Sequence, residues 1–197
     1  MKTRQSGFTM IELIVVIVIL GILAAVALPR FSNIQRDARI AKLNAARGAV
    51  QSASAMIHGT VLVRGGVADT VACPGGGGTA TNTTAAAGTV CTESGLIAII
   101  NGYPQANLTG IIGAAGLTST STATQPVLAA EGYYVSADGT ATGAATGGAV
   151  IGSTVTIGVM GGPVTTANQC SFTYTPSSNA AAVGSAPTIT AVITTGC

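Results

Sequence analysis

From Phe8 to Leu28 the chain reads FTMIELIVVIVILGILAAVAL, 21 residues that carry one charge, Glu12. At 1.5 Å of rise per residue such a run crosses a hydrocarbon core about 30 Å thick as a single helix. Nothing else this chain can build disposes of that much apolar surface, so the segment needs a membrane, or copies of itself, around it. Glu12 is then the residue that does not belong. A charge inside a membrane helix costs roughly 2.5–3.5 kcal/mol on insertion scales and is a functional-site candidate by default, which makes a partner for Glu12 the first requirement on any function. An ordinary secretory signal would have a shorter apolar run with a small-residue cleavage site. Residues Ala25–Ala27 offer such a site, but helical periodicity resumes beyond Pro29, which argues for continuity.

Past the span, Phe31, Ile34, Ala38, Ala41 and Ala45 recur at steps of three and four and share one helical face. Ile40, Leu43, Ala46, Val50, Ala53 and Ile57 form a second apolar stripe beside it, and Asn33, Asp37, Asn44 and Gln51 lie opposite. Two stripes suit two partners, the chain's own head and a neighbouring subunit; a single broad face against one domain suits the pattern equally. A helix from Phe8 to His58 has 51 residues and is about 77 Å long, too long for one domain to cover. Gly21 and Pro29 are its weak points, and a kink is expected between them because Pro29 lacks a donor and crowds the preceding turn.

Only 7% of the 197 residues are charged and 4% aromatic, so the core is built from Ala, Val, Ile, Thr and Gly. All eight Lys and Arg lie at or before Arg64, where with Glu12 and Asp37 they give a net +6; Asp69, Glu93, Glu131 and Asp138 leave the rest at −4. The cations adjoin a membrane span and no aromatic platform accompanies them, which weighs against nucleic acid. Cys73, Cys91, Cys170 and Cys197 contain no C-x-x-C and read as two disulfides of an exported, core-poor domain. Three pairings are possible; Cys73 with Cys91 and Cys170 with Cys197 is favoured because each encloses one loop or hairpin. Beyond Gly59 the strand candidates are residues 61–63, 96–100, 132–135, 149–160, 170–175 and 188–195. In the fifth, Cys170, Phe172 and Tyr174 alternate with Ser171, Thr173 and Thr175, one face dry and one wet. The stretch between Cys73 and Cys91 reads as a low-complexity loop closed at its base. The fold class is α+β: a long N-terminal helix, its first half apolar (8–28) and its second amphipathic (29–58), packed on an antiparallel sheet in a head spanning 59–197.

Catalytic signals are weak. The four glycines 75–78 lack the Lys-Ser/Thr of a phosphate loop. His58 is the only histidine, and no nucleophile, base and orienting residue assemble around it. Asp138-Gly139 is a fragment of a calcium loop with one carboxylate where several are needed. Asn82-Thr83-Thr84 and Asn107-Leu108-Thr109 fit the glycosylation triplet. The reading is of a protein that is not an enzyme and uses no cofactor or metal.

The N-terminal residues, a basic leader Lys2–Gly7 followed by Phe8-Thr9-Met10-Ile11-Glu12-Leu13 opening an apolar helix, resemble the class III signal of type IV pilins and of the related pseudopilins of type II secretion. The resemblance implies removal of residues 1–7 by a prepilin peptidase cutting between Gly7 and Phe8, N-methylation of Phe8, and retention of the helix as membrane anchor and filament core. It assigns subunit assembly to Phe8, Thr9 and Glu12: cleavage frees an amine at Phe8, and Glu12 neutralises the amine of a neighbouring subunit. Residues 27–39, 101–104 and the C-terminal CSFTYT…PTIT…TTGC also resemble mannose-sensitive haemagglutinin pilins of the type IVa branch, which implies a lollipop with a disulfide-bounded region near the C-terminus; Cys73 and Cys91 depart from that pattern. The implied partners are further copies of the chain, minor pilins, the peptidase and the inner-membrane assembly machinery. The implied location is the inner membrane before assembly and the cell-surface fibre after it, serving adhesion, attachment or twitching. A type II secretion pseudopilin and a membrane-anchored extracytoplasmic binding protein are the alternatives. Lys2 and Arg4 precede the span while Arg30, Arg36, Arg39, Lys42 and Arg47 follow it, so positive-inside asymmetry alone would orient it the other way; the disulfides and leader outweigh it. Arg36, Arg39 and Lys42, spaced by three, are candidates to face head carboxylates of another subunit.

Overall fold

The structure is a computed structural model that describes residues 7–84, 87–117, 131–137, 154–159, 169–176 and 185–197. The chain divides into two compact units, Met1–Ala38 and Arg39–Cys197. Helix α1 spans Met10–Arg64 and continues through Gly21 and Pro29. It ends where the Gly65 N–H donates to the Val61 carbonyl at 3.1 Å, a common way to satisfy the last turn. The helix thus outruns the expected end at His58, and residues 61–63 are helical rather than a strand. The reason is burial: Val61 is wholly covered and packs with Ile57, Val90, Ile97 and Ile99, which outweighs the weak β-preference of a three-residue apolar run.

Among the described residues, seven strands form two antiparallel sheets in the second unit. The first has β1 (Ala87–Thr92), β2 (Gly95–Ile100) and β3 (Tyr103–Pro104) in that order. The second orders β4 (Tyr133–Ala137), β5 (Val155–Val159), β6 (Ser171–Thr175) and β7 (Thr188–Ile189). The strands expected at 96–100, 132–135 and 170–175 are present; 188–195 shortens to a two-residue strand plus an isolated bridge between Ser171 and Ile193. Of the run 149–160, residues 155–159 form β5, and 149–153 and 160 lie outside the described residues. The stretch between the first two cysteines is not simply a loop, because its end is β1, registered with β2 from Ala87↔Ile100 to Thr92↔Gly95. Between β2 and β3 the turn is Asn101-Gly102, both at positive φ (52° and 79°), the geometry that matches strand twist in two-residue hairpins.

Two apolar clusters hold the unit together. Leu43, Ala46, Val50 and Ala53 of α1 pack with Val135, Val155, Ile157, Phe172 and Tyr174 of the second sheet and with Ile111 and Ile112 of a π-turn at Leu108–Ile112. Further along α1, Ile57 and Val61 pack with the first sheet, and Ala114 touches both clusters. The second apolar stripe read from the sequence is therefore the one the head covers. Phe172 and Tyr174 face inward as alternation requires, yet Ser171 is equally buried. A Cβ added at Gly158, the register partner of Ser171, would lie 2.2 Å from the Tyr134 ring. That ring crosses the outer face, with its hydroxyl donating to the Gln169 carbonyl at 2.8 Å, so the face expected to be wet is closed at Ser171 while Thr173 and Thr175 stay half-buried.

Candidate functional site

The sequence places the functional segment at the start of α1, and there the geometry is specific. Gly7, Phe8 and Thr9 are non-helical and α1 begins at Met10, so the Gly7–Phe8 peptide bond lies outside the helix. Thr9 is the N-cap. Its backbone N–H and its hydroxyl donate to Glu12 Oε2 at 3.3 and 3.0 Å, while the Glu12 N–H donates to Thr9 Oγ1 at 3.4 Å. This is a capping box, in which cap and third residue satisfy each other's free donors. Glu12 is also well placed by sign, since an anion in the first turn meets the positive end of the helix dipole. The residue that looked foreign in an apolar run is thus held one turn from Phe8 by the helix start itself. Signal for this existed in the sequence, because Thr-x-x-Glu before an apolar run is a capping pattern; the sequence reading took Glu12 as an electrostatic residue alone.

Along the same segment the large apolar side chains from Phe8 to Leu28 are 47–83% exposed. The helix that begins at Met10 is long and apolar enough to cross a membrane.

In the second unit the other sequence candidates have structural partners. Cys73 bonds Cys91 and Cys170 bonds Cys197, each pair 4.8–5.5 Å apart at Cα, the neighbour pairing favoured from spacing. His58 stacks on Tyr103 with ring centroids 4.0 Å apart, and its Nδ1 lies 3.0 Å from the Gly102 carbonyl oxygen; it locks the β2–β3 turn to α1. The glycines 75–78 form a turn in which the Cys73 N–H donates to the Gly78 carbonyl at 2.8 Å. Asp138 lies outside the described residues.

Both glycosylation triplets are closed. Asn82 has no exposed surface, and its amide nitrogen donates to Val67 O at 2.8 Å and Asp69 Oδ1 at 2.9 Å. Arg64 pairs with the same carboxylate. Asn107 is 8% exposed with its amide donating to Gln105 Oε1 at 2.8 Å. Neither nitrogen is free to take a glycan once the unit has folded.

The basic stripe also finds partners close by, and they are carbonyls. Arg39 Nη1 donates to Cys197 O at 2.8 Å, Lys42 Nζ to Glu131 O at 2.6 Å and Arg47 Nε to Thr190 O at 2.8 Å. Lys42 also sits 4.3 Å above the Tyr133 ring, a cation–π contact. Arg39 and Lys42 thus fasten their own head to α1, which removes them from the set expected to reach a neighbour's carboxylates. Tyr174 ties the sheets together, donating to Pro104 O at 2.7 Å. Burial pushes its phenol far above the ordinary tyrosine range, and the nearby Ser54 hydroxyl opposes the shift without reversing it. Burial likewise raises Tyr133, helped by the Glu131 charge, and Tyr134.

Comparison with known proteins points the same way as the N-terminal geometry. Residues 2–28 match the prokaryotic N-terminal methylation motif. The chain is 48% identical over 62 residues to the type IV narrow pilus major component PilA5 of Thermus thermophilus, covering 32% of this chain and 52% of that protein. It is 40% identical over 53 residues to the type IV major fimbrial protein FimA of Dichelobacter nodosus, 27% of this chain and 34% of the relative. With the type IV major pilin protein PilE1 of Neisseria gonorrhoeae it shares 52% over 42 residues, 21% of this chain and 26% of the relative. The chain thus spans about half the length of the first relative and about a third or less of the other two. No solved structure matches it. The chain thus carries a methylation motif that opens an apolar, capped helix, and over stretches of 42 to 62 residues it is similar to major pilins of three genera.

Proposed function

We propose that the chain is the repeating structural subunit of a type IV pilus, stored in the inner membrane by residues 8–28 and polymerised through the same helix into a fibre outside the cell. The observation that carries this is an unbroken apolar helical surface, exposed from Phe8 to Leu28, with a single carboxylate held one turn from its start. In lipid that surface is satisfied; after extraction only other copies of the same helix can cover it. A prepilin peptidase cuts between Gly7 and Phe8, a bond outside the helix, and leaves an ammonium on Phe8 that N-methylation keeps cationic. Thr9 and Glu12 then present a fixed anion at the tip of the apolar helix. An amine of a neighbouring subunit about 4 Å away would be worth roughly 4 kcal/mol at an effective dielectric of 20, enough to offset the cost of a charge in the helix. Minor pilins and an inner-membrane assembly machine complete the partner set, and adhesion or surface attachment is what the fibre serves. The test is electron microscopy of sheared surface appendages with N-terminal sequencing of their main component. Fibres whose main component begins at methylated Phe8 are expected; a mature protein retaining Met1, or no fibre containing this chain, overturns the reading.

A further inference from the structure

Within the second unit an open groove of about 430 Å³ runs between α1 and the β1–β2 turn, a size typical of sites that bury a whole ligand, roughly 300–1,000 Å³. Ala53, Met56, Ile57 and Ala114 give it an apolar wall, and Glu93 and Ser94 of the turn stand at its edge. Glu93 is exposed, and unlike Asp69, which holds Arg64 and Asn82, it has no partner among the described residues. An apolar trough with one unpaired acid calls for an apolar segment with one unpaired cation. The chain itself carries one. Phe31 and Ile34 are 64% and 61% exposed, and Arg30, one turn before Ile34 on the same side of the helix, is exposed with no partner among the described residues. Arg39, Lys42 and Arg47 are taken by carbonyls, so the choice of cation narrows to Arg30 and Arg36. Arg36 lies about 120° around the helix from Arg30 at 100° per residue, away from Phe31 and Ile34.

We infer that the groove receives the Arg30–Phe31–Ile34 face of a second copy of this chain, with Phe31 and Ile34 against Met56 and Ile57 and Arg30 opposite Glu93. The inference rests on the pilus-subunit reading and adds a lateral contact separate from the Phe8–Glu12 tip. It also gives the exposed apolar stripe of the amphipathic helix an occupant distinct from the chain's own head. The charge asymmetry between stem and head then serves specificity, since a rim ion pair selects register more than it adds affinity.

The experiment replaces Met56, exposed and outside both cores, by photoreactive benzoylphenylalanine in otherwise native pili, and maps the cross-linked peptide. Cross-links to residues 30–34 of another copy are expected; cross-links to any other segment, to lipid or to another protein overturn the groove assignment. In parallel, Glu93→Arg and Arg30→Glu are each expected to cut fibre yield roughly fivefold, the effect of about 1 kcal/mol per contact. The double reversal should restore it. A double reversal that stays as poor as the single variants, with both disulfides formed in each, refutes the pairing. If wild-type chains form no fibre at all, the pilus reading fails first; if they form fibres and only the reversal pattern is absent, the groove alone fails.

Discussion

Replacing Tyr174 by Phe removes one hydroxyl and should act in opposite directions at neutral and alkaline pH. The side chain is wholly buried, and its hydroxyl donates at 2.7 Å to the carbonyl of Pro104, itself buried at the edge of the first sheet. Without that donor the carbonyl is left unmet in the interior, which costs about 1–3 kcal/mol. For a folded unit of this size each kcal/mol moves the melting temperature by about 2–4 °C, so a fall of roughly 2–12 °C is expected at pH 7. Above pH 10 the sign of a second effect matters. Burial holds the Tyr174 phenol protonated in the folded chain well past the point at which an unfolded tyrosine, with pKa about 10, ionises. The folded state then binds more protons than the unfolded one, so stability is intact below pH 10 and falls by about 1.4 kcal/mol per pH unit above it. Phe at 174 carries no such penalty, whereas Tyr133 and Tyr134 contribute alike to both proteins. The stability gap between wild type and Tyr174→Phe should therefore be constant from pH 7 to 9 and close between roughly pH 11 and 12. Urea unfolding of the detergent-solubilised subunit, followed by circular dichroism at pH 7, 9 and 11, measures it. A gap of the same size at pH 7 and pH 11 would refute the account of this buried hydroxyl.

Glu12→Gln separates the two roles of that residue: glutamine can close the capping box, so helix start and leader removal should persist while fibres, scored by microscopy, disappear. Abundant fibres from this variant would mean that the carboxylate's charge is not what joins subunits. Replacing both Cys73 and Cys91 by Ser opens an 18-residue separation and should lower unfolding stability by about 3 kcal/mol in the chain-entropy description, read as a shifted urea midpoint; an unchanged midpoint would place the stability of that loop in its hydrogen bonds instead. Peptide mass mapping of mature fibres should find Asn82 and Asn107 unmodified, because both amides are buried and engaged; a glycan on either would require attachment before folding.

Features that depend on neighbours in the chain were legible without coordinates. The apolar span and its lone carboxylate, the amphipathic continuation whose Leu43, Ala46, Val50 and Ala53 enter the core, and the alternation that turns Phe172 and Tyr174 inward all follow from helical or strand period, a local property of the backbone. Period identifies a face; it does not say what covers it. Hence only tertiary packing made residues 61–63 helix by burying Val61, recruited the Gly- and Thr-rich residues 87–92 as a strand by pairing them with β2, and hid Ser171 beneath Tyr134. Packing likewise closed both Asn triplets and turned Arg39, Lys42 and Arg47 from a free basic stripe into clasps on carbonyls. Each of these depends on groups far apart in the chain meeting within a few ångströms. Composition and spacing carry no record of such meetings, because the free energy that selects them arises only when the whole head has closed.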